Sequence, residues 1–150
     1  MEYLAIIAFA VFVTYVVCVC LTERIPTMLS EMYYMTGRIF SVLLSVLAVS
    51  FLPTMLDSNG VQCAAFLTCA GLLFVATAPA YLDAEELKVH KGGAIVSALA
   101  SILWACSINV IPTAIFAILA IALCIYKRSR WLFWIECAAI LNIVTTLFAF

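Results

Sequence analysis

Three places in the chain carry side chains able to do more than pack. The first is the stretch 25–38, where Glu31, Tyr34 and Arg38 fall at intervals of three and four, with Ser30 alongside. On a helix that runs on into the next apolar segment, this spacing sets an acid, a phenol and a guanidinium on one face. Gly37, just before Arg38, is where such a helix would break. The second place is His90, between Lys88 and Lys91 at the edge of an apolar run. The third is Glu136, inside an apolar run and about 9 Å beyond Arg130 at helical rise. A charged carboxylate at mid-membrane costs about 2.5–3.5 kcal/mol, and less near the edge. Glu136 therefore has to be paired, protonated or turned to a wet cavity, and Arg38 and His90 are its expected partners. Asn142, Ser41, Ser45 and Ser50 would extend a polar interior. The set Ser30, Glu31, Tyr34, Arg38, His90 and Glu136 suits the holding of a polar head group. It supplies no nucleophile with a positioned base, so no catalytic residue is assigned.

Metal chemistry finds little support. The chain has one histidine and seven cysteines, Cys18, Cys20, Cys63, Cys69, Cys106, Cys124 and Cys137, without a C-x-x-C pair. A structural zinc site needs clustered thiolates and imidazoles. Nearly all of these cysteines lie inside apolar runs, where the residue behaves as a small hydrophobe. No metal and no cofactor is expected. The net charge is −1 and no basic stripe exists, so nothing points to nucleic acid.

The elements that must position these residues follow from composition. The chain is 68% hydrophobic and 10% charged, with a mean hydropathy of +1.26. Soluble domains are about 45–50% apolar and about 25% charged. A chain of 150 residues cannot bury that much apolar side chain in its own interior. Lipid is the fitting solvent, and there the backbone must pair with itself, which makes the apolar runs helices. They read as 3–21, 38–56, 62–82, 93–110, 112–126 and 131–150. The fold expected is all-α: a polytopic transmembrane bundle of six helices with short loops, one membrane domain over 1–150. The opening Met-Glu-Tyr has no basic region, and the first run ends without a small-x-small site, so that helix reads as a retained span.

The breaks are Thr22 to Gly37, Asp57-Ser58-Asn59-Gly60, Asp83 to Gly92, Asn109 to Pro112, and Lys127 to Arg130. The fourth is the weakest. A single pass over 93–126 would be about 50 Å long, against a hydrocarbon core of about 30 Å. Proline also suits a first helical turn, so the run reads as two helices in a tight hairpin. Six spans place the first, third and fifth loops on one side. Those loops hold Arg24, Arg38, Lys88, Lys91, Lys127, Arg128 and Arg130, which are all seven basic residues. The positive-inside rule makes that side cytoplasmic and both termini non-cytoplasmic. A multi-pass protein of a bacterial inner membrane is expected. Tyr126, Trp131 and Trp134 flank the fifth loop as an interfacial aromatic belt.

Span four carries Gly93, Ser97, Ser101 and Ala105 at intervals of four, with Ala94 and Ala98 beside them. Small residues on one face let helices approach closely. This face is expected to pack within the bundle, with a homodimer seam as the other use. Pro53 and Pro79 lie inside spans two and three, where each frees a carbonyl and permits a kink. The segment 25–38 is too apolar for a free loop and reads as a short piece lying in the interface.

The stretch Pro26-x-x-x-Ser30-Glu31-x-Tyr33-Tyr34-x-x-Gly37-Arg38-x-Phe40 resembles a motif that follows the first helix in small uncharacterised bacterial polytopic membrane proteins. Val89-His90-x-x-Gly93-Ala94 resembles a histidine motif at the start of their fourth helix. Those proteins are distantly similar to the ceramidase, progestin-receptor and FRAG-type superfamily. The resemblance implies that Ser30, Glu31, Tyr34, Arg38 and His90 gather in one pocket. Hydrolases of that superfamily hold zinc with several histidines, and one histidine cannot build such a site. The expected function is the binding of membrane lipid or a small amphiphile in a polar pocket near the cytoplasmic face. A small transporter or pore, and an accessory subunit of a membrane complex, are the alternatives.

Overall fold

The computed structural model describes residues 2–78, 84–126 and 128–149. Helix α1 is Glu2–Thr22, and a 3-10 turn at Leu29–Glu31 leads into the short α2, Met32–Thr36. Then come α3 Arg38–Asp57, α4 Gln62–Thr77, α5 Ala84–Ile108 and α6 Val110–Tyr126. A second 3-10 turn, Arg128–Arg130, runs into α7, Trp131–Ala149. The described residues hold no strand. Segments around α1, α3, α5 and α7 (Glu2–Thr22, Arg38–Asp57, Glu85–Ile108 and Arg128–Phe148) are long and apolar enough to cross a membrane. Helices α4 and α6 are apolar but shorter, at 16 and 17 residues.

The long helices alternate in direction. Tyr15 on α1 meets Thr36, just before α3, with 2.5 Å between their hydroxyl oxygens. Glu2 and Tyr3 lie at the other end beside Asp57, where α3 finishes. Helices α4 and α5 are antiparallel along their whole contact. The Val61 amide donates to Ser107 Oγ at 3.0 Å, Ser97 Oγ donates to the Thr68 carbonyl at 2.9 Å, and His90 reaches Ala78. Helices α6 and α7 are also antiparallel, joined by Thr113 with Asn142 at one end and by Cys124 with the Trp131 carbonyl at the other.

Helix α3 is the axis of the bundle. Its Phe40, Leu44, Leu47, Phe51 and Met55 recur at helical spacing and are all buried. Around them pack Phe12 of α1, Met32 of α2, Ala65 and Cys69 of α4, Trp104 of α5 and Ile143 of α7. Helix α6 lies at the periphery on α7, and of its described side chains only Pro112 is buried.

Three boundaries differ from those read in the sequence. The break from Asp83 to Gly92 is largely helix, since α5 begins at Ala84 and contains Lys88, His90 and Lys91. Its low hydropathy marked it as a break, but Glu85 and Glu86 sit in the first turn of α5, where acids offset the helix dipole. The described part of span three ends at Thr77, and Pro79 falls outside the described residues, as does Lys127. The fourth break shrinks to Asn109 alone. Its Oδ1 accepts the Ile111 amide at 2.9 Å, an N-cap that starts α6 and places Pro112 in the first turn. Trp131 is outward and half exposed, whereas Trp134 turns inward with its ring edge-on to Phe133 at 5.1 Å. Trp134 thus belongs to the packing and not to the aromatic belt.

The small-residue face of α5 is taken up within the chain. A Cβ on Gly93 would lie 2.7 Å from Phe74 Cβ and 2.9 Å from the Gly71 carbonyl oxygen. A Cβ on Gly71 would meet the Gly93 carbonyl oxygen at 2.6 Å. The two glycines mark the closest approach of α4 and α5, and Ser101 and Ala105 farther along are buried. At Gly93 this face is therefore packed against α4.

Candidate functional site

The segment between α1 and α3 folds back under the bundle. Arg24 Nη2 donates to Glu31 Oε1 at 2.6 Å, and the Thr27 amide and hydroxyl donate to Glu31 Oε2 at 2.5 and 2.8 Å. Burial alone pushes the Glu31 carboxyl upward, but these hydrogen bonds, the Arg24 charge and the Met28 amide outweigh it and hold it below the usual carboxylate range. Glu31 is thus the brace of a turn. The chain beyond it passes beneath α7. The Phe133 amide, one of the unpaired donors in the first turn of α7, donates to the Thr27 carbonyl at 3.1 Å. The Leu29 amide donates to Glu136 Oε2 at 2.5 Å. Pro26, Leu29, Ser30 and Met32 are buried by this tuck. Gly37, at φ 65°, then reverses the chain into α3, a backbone state that favours glycine.

Above the tuck lies a cavity of about 100 Å³ between α3, α4, α5 and α7. Leu29, Ser30 and Glu136 form one end. Phe40, Leu44, Leu72, Val75, Ile140 and Ile143 form apolar walls. Room is left by small residues: Ala94, Ser97, Ala98 and Ser101 on α5, and Ala139 on α7. Ser97 and Ser101 donate their hydroxyl protons to the Thr68 and Ala98 carbonyls, both at 2.9 Å. Among the described residues Glu136 is the one carboxylate lining the cavity, and its Oε2 takes the Leu29 amide.

Of the six residues singled out in the sequence, Ser30 and Glu136 line this cavity. The other four are placed elsewhere. Glu31 braces the turn. Tyr34 is exposed and stacks edge-on against Tyr33 at 5.9 Å. Arg38 is exposed as the first residue of α3, beyond the glycine break, so Glu31, Tyr34 and Arg38 do not share one continuous helix face. His90 is buried, with Nδ1 3.0 Å from the Ala78 carbonyl oxygen. A carbonyl can only accept, so Nδ1 carries the proton, and His90 caps the C-terminal end of α4. The expected partners of Glu136, Arg38 and His90, are replaced by a backbone amide. Asn142 binds Thr113 of α6 at 3.2 Å and does not extend the cavity.

Residues that sequence reasoning missed are Leu29, whose amide reaches Glu136, and Ala139, whose small size opens the α7 wall. A signal existed for the second: Ala138-Ala139 interrupts a run of bulky residues one turn from Glu136. Among the described residues no three His, Cys, Asp or Glu side chains gather to hold a metal ion. What the arrangement offers is a small apolar slot ending in a hydrogen-bond acceptor. No family model, curated protein or solved structure matches the chain.

Proposed function

We propose that this chain is a six-pass membrane protein that holds a lipid or small amphiphile at its cytoplasmic end. The observation that carries the reading is the cavity itself: apolar walls on four helices and one carboxylate, Glu136, at the end nearest the basic residues. In this reading a few carbons of an amphiphile's tail enter the cavity of about 100 Å³ between Ala94, Ala98 and Ala139, and a donor group, hydroxyl, amide or amine, meets Glu136, whose Oε1 has no partner among the described residues. Ser30 is the second polar contact. Arg38, exposed at the start of α3, lies at the same end of the bundle and suits an anionic portion of a head group.

Six crossings are supported by the alternating helix directions and by the basic residues. Arg24, Arg38, Lys88, Lys91, Arg128 and Arg130 fall at the end where α1, α4 and α6 finish and α3, α5 and α7 begin. Helices α4 and α6 are about 24 and 26 Å long at helical rise, short of a 30 Å core by an amount that local thinning accommodates.

The test is native mass spectrometry of the protein released from lipid nanodiscs, comparing wild type with Glu136→Ala and Ala139→Phe. The reading expects one retained lipid in wild type, a weaker adduct in Glu136→Ala and none in Ala139→Phe. Equal lipid retention in all three would remove the cavity as the binding site.

A further inference from the structure

The cavity beside Glu136 is too small for a whole amphiphile. It measures about 100 Å³. A core cavity of about 150 Å³ admits only a benzene ring. A tail of any length therefore has to continue elsewhere.

A second space adjoins the first. It is a crevice of about 150 Å³ between α1 and α7, and all of its lining residues are apolar. Phe12, Val13 and Val17 of α1 line one side, and Cys137 and Leu141 of α7 the other. Leu29 and Ile140 line both the crevice and the cavity, so these two residues form the partition between them. Helical periodicity explains the arrangement on α7. Glu136, Ala139 and Ile143 fall on one side, Cys137 and Leu141 on the next, and Ile140 between. Leu29 is held in place by its amide, which donates to Glu136, so the partition stands beside the carboxylate. Aliphatic side chains such as these move between staggered rotamers.

The outer edge of the crevice is open. Val13, Val17 and Leu141 are exposed, whereas Phe12, Leu29 and Ile140 behind them are buried. In a six-pass chain that edge faces lipid tails. From Phe9 to Val17 the crevice follows α1 for about 12 Å at helical rise.

We propose that the ligand of the Glu136 site is a single-chain amphiphile, its hydrogen-bond-donating head in the cavity and its tail across Leu29 and Ile140 in the crevice between α1 and α7. This rests on the reading of the cavity as a binding site. The head donates because a carboxylate accepts, and a second carboxylate there would meet like charge. One narrow crevice takes one chain, so long-chain amines, amides and alcohols fit where a diacyl phospholipid does not. Entry is sideways from the bilayer.

The experiment uses the full chain in phosphatidylcholine nanodiscs, with dodecylamine as the probe counted by native mass spectrometry. Wild type should hold one dodecylamine and Ala139→Phe none. Val13→Trp, at the exposed edge of the crevice, and Cys137→Phe, deeper within it, should each weaken binding about tenfold. Val11→Trp, exposed on the opposite side of α1, should leave binding unchanged. Dodecylamine carrying a chain-end diazirine should crosslink to α1 between Phe9 and Val17 in wild type and not in Glu136→Ala. Binding lost in Ala139→Phe but kept in both Val13→Trp and Cys137→Phe would overturn this inference and leave the cavity reading standing. Crosslinking unchanged in Glu136→Ala would also overturn it, as ordinary lipid contact. No bound probe in wild type, or equal binding in Ala139→Phe, would remove the cavity reading and this inference with it.

Discussion

At the scale of single residues, two carboxylates near one another in the fold do different work because their partners differ. Glu31 is tied to Arg24 and Thr27 and holds a turn. Its carboxyl is stabilised in the charged form, so its contribution to stability is present above the ordinary value of 4.5 and fades as pH falls through the lowered folded value. Glu31→Gln should therefore lower the unfolding temperature at pH 7, and the gap to wild type should close as pH falls below 4.5 and through the lowered folded value. A gap independent of pH would show that the charge is not what holds the turn. Glu136 instead takes the Leu29 amide. Glu136→Ala should cost about 1–3 kcal/mol of stability, the penalty of an unsatisfied buried amide, and should speed hydrogen exchange at Leu29. Glu136→Gln keeps an acceptor and should retain most of that protection. The positions of both acids were visible in the sequence, but their partners were not. Glu136 meets a backbone amide 107 residues away, and no side-chain pattern announces a main-chain donor.

At the scale of elements, the seam between α4 and α5 is the sharpest case. Adjacent glycines have opposite environments: a Cβ on Gly92 would meet nothing within 4 Å, whereas one on Gly93 would press on α4. Gly92→Ala should be neutral or stabilising by up to about 1 kcal/mol through helix propensity. Gly93→Ala and Gly71→Ala should destabilise by about 1–3 kcal/mol, as overpacking does. Thermal unfolding in one detergent checks all three, and equal effects at Gly92 and Gly93 would contradict the seam. The stripe Gly93, Ser97, Ser101, Ala105 was legible because its period is local. Its counterpart Gly71 stands alone in α4, so only the tertiary register reveals it. The start of α5 was obscured for a different reason. Its first turns are charged, and hydropathy separates lipid-facing from water-facing residues without separating helix from loop.

At the scale of the whole molecule, apolar composition and the clustering of basic residues carried the architecture: an all-helical chain with four helices long and apolar enough to span a membrane. The candidate cavity was only partly legible. Glu136 and Ser30 stood out as polar residues in apolar surroundings, while the space beside them comes from alanines that four helices bring together. Composition says nothing about such convergence. The account rests on the chain crossing six times, with the Glu136 end facing the cytoplasm. The direct measurement is labelling by a membrane-impermeant thiol reagent in intact cells. It uses single cysteines at Asn59 and Ser129 in a background with the seven native cysteines replaced by alanine. Asn59→Cys should react in intact cells and Ser129→Cys only after permeabilisation. Labelling of Ser129→Cys from outside would contradict the account, moving the basic turn, and the cavity with it, to the other side of the membrane.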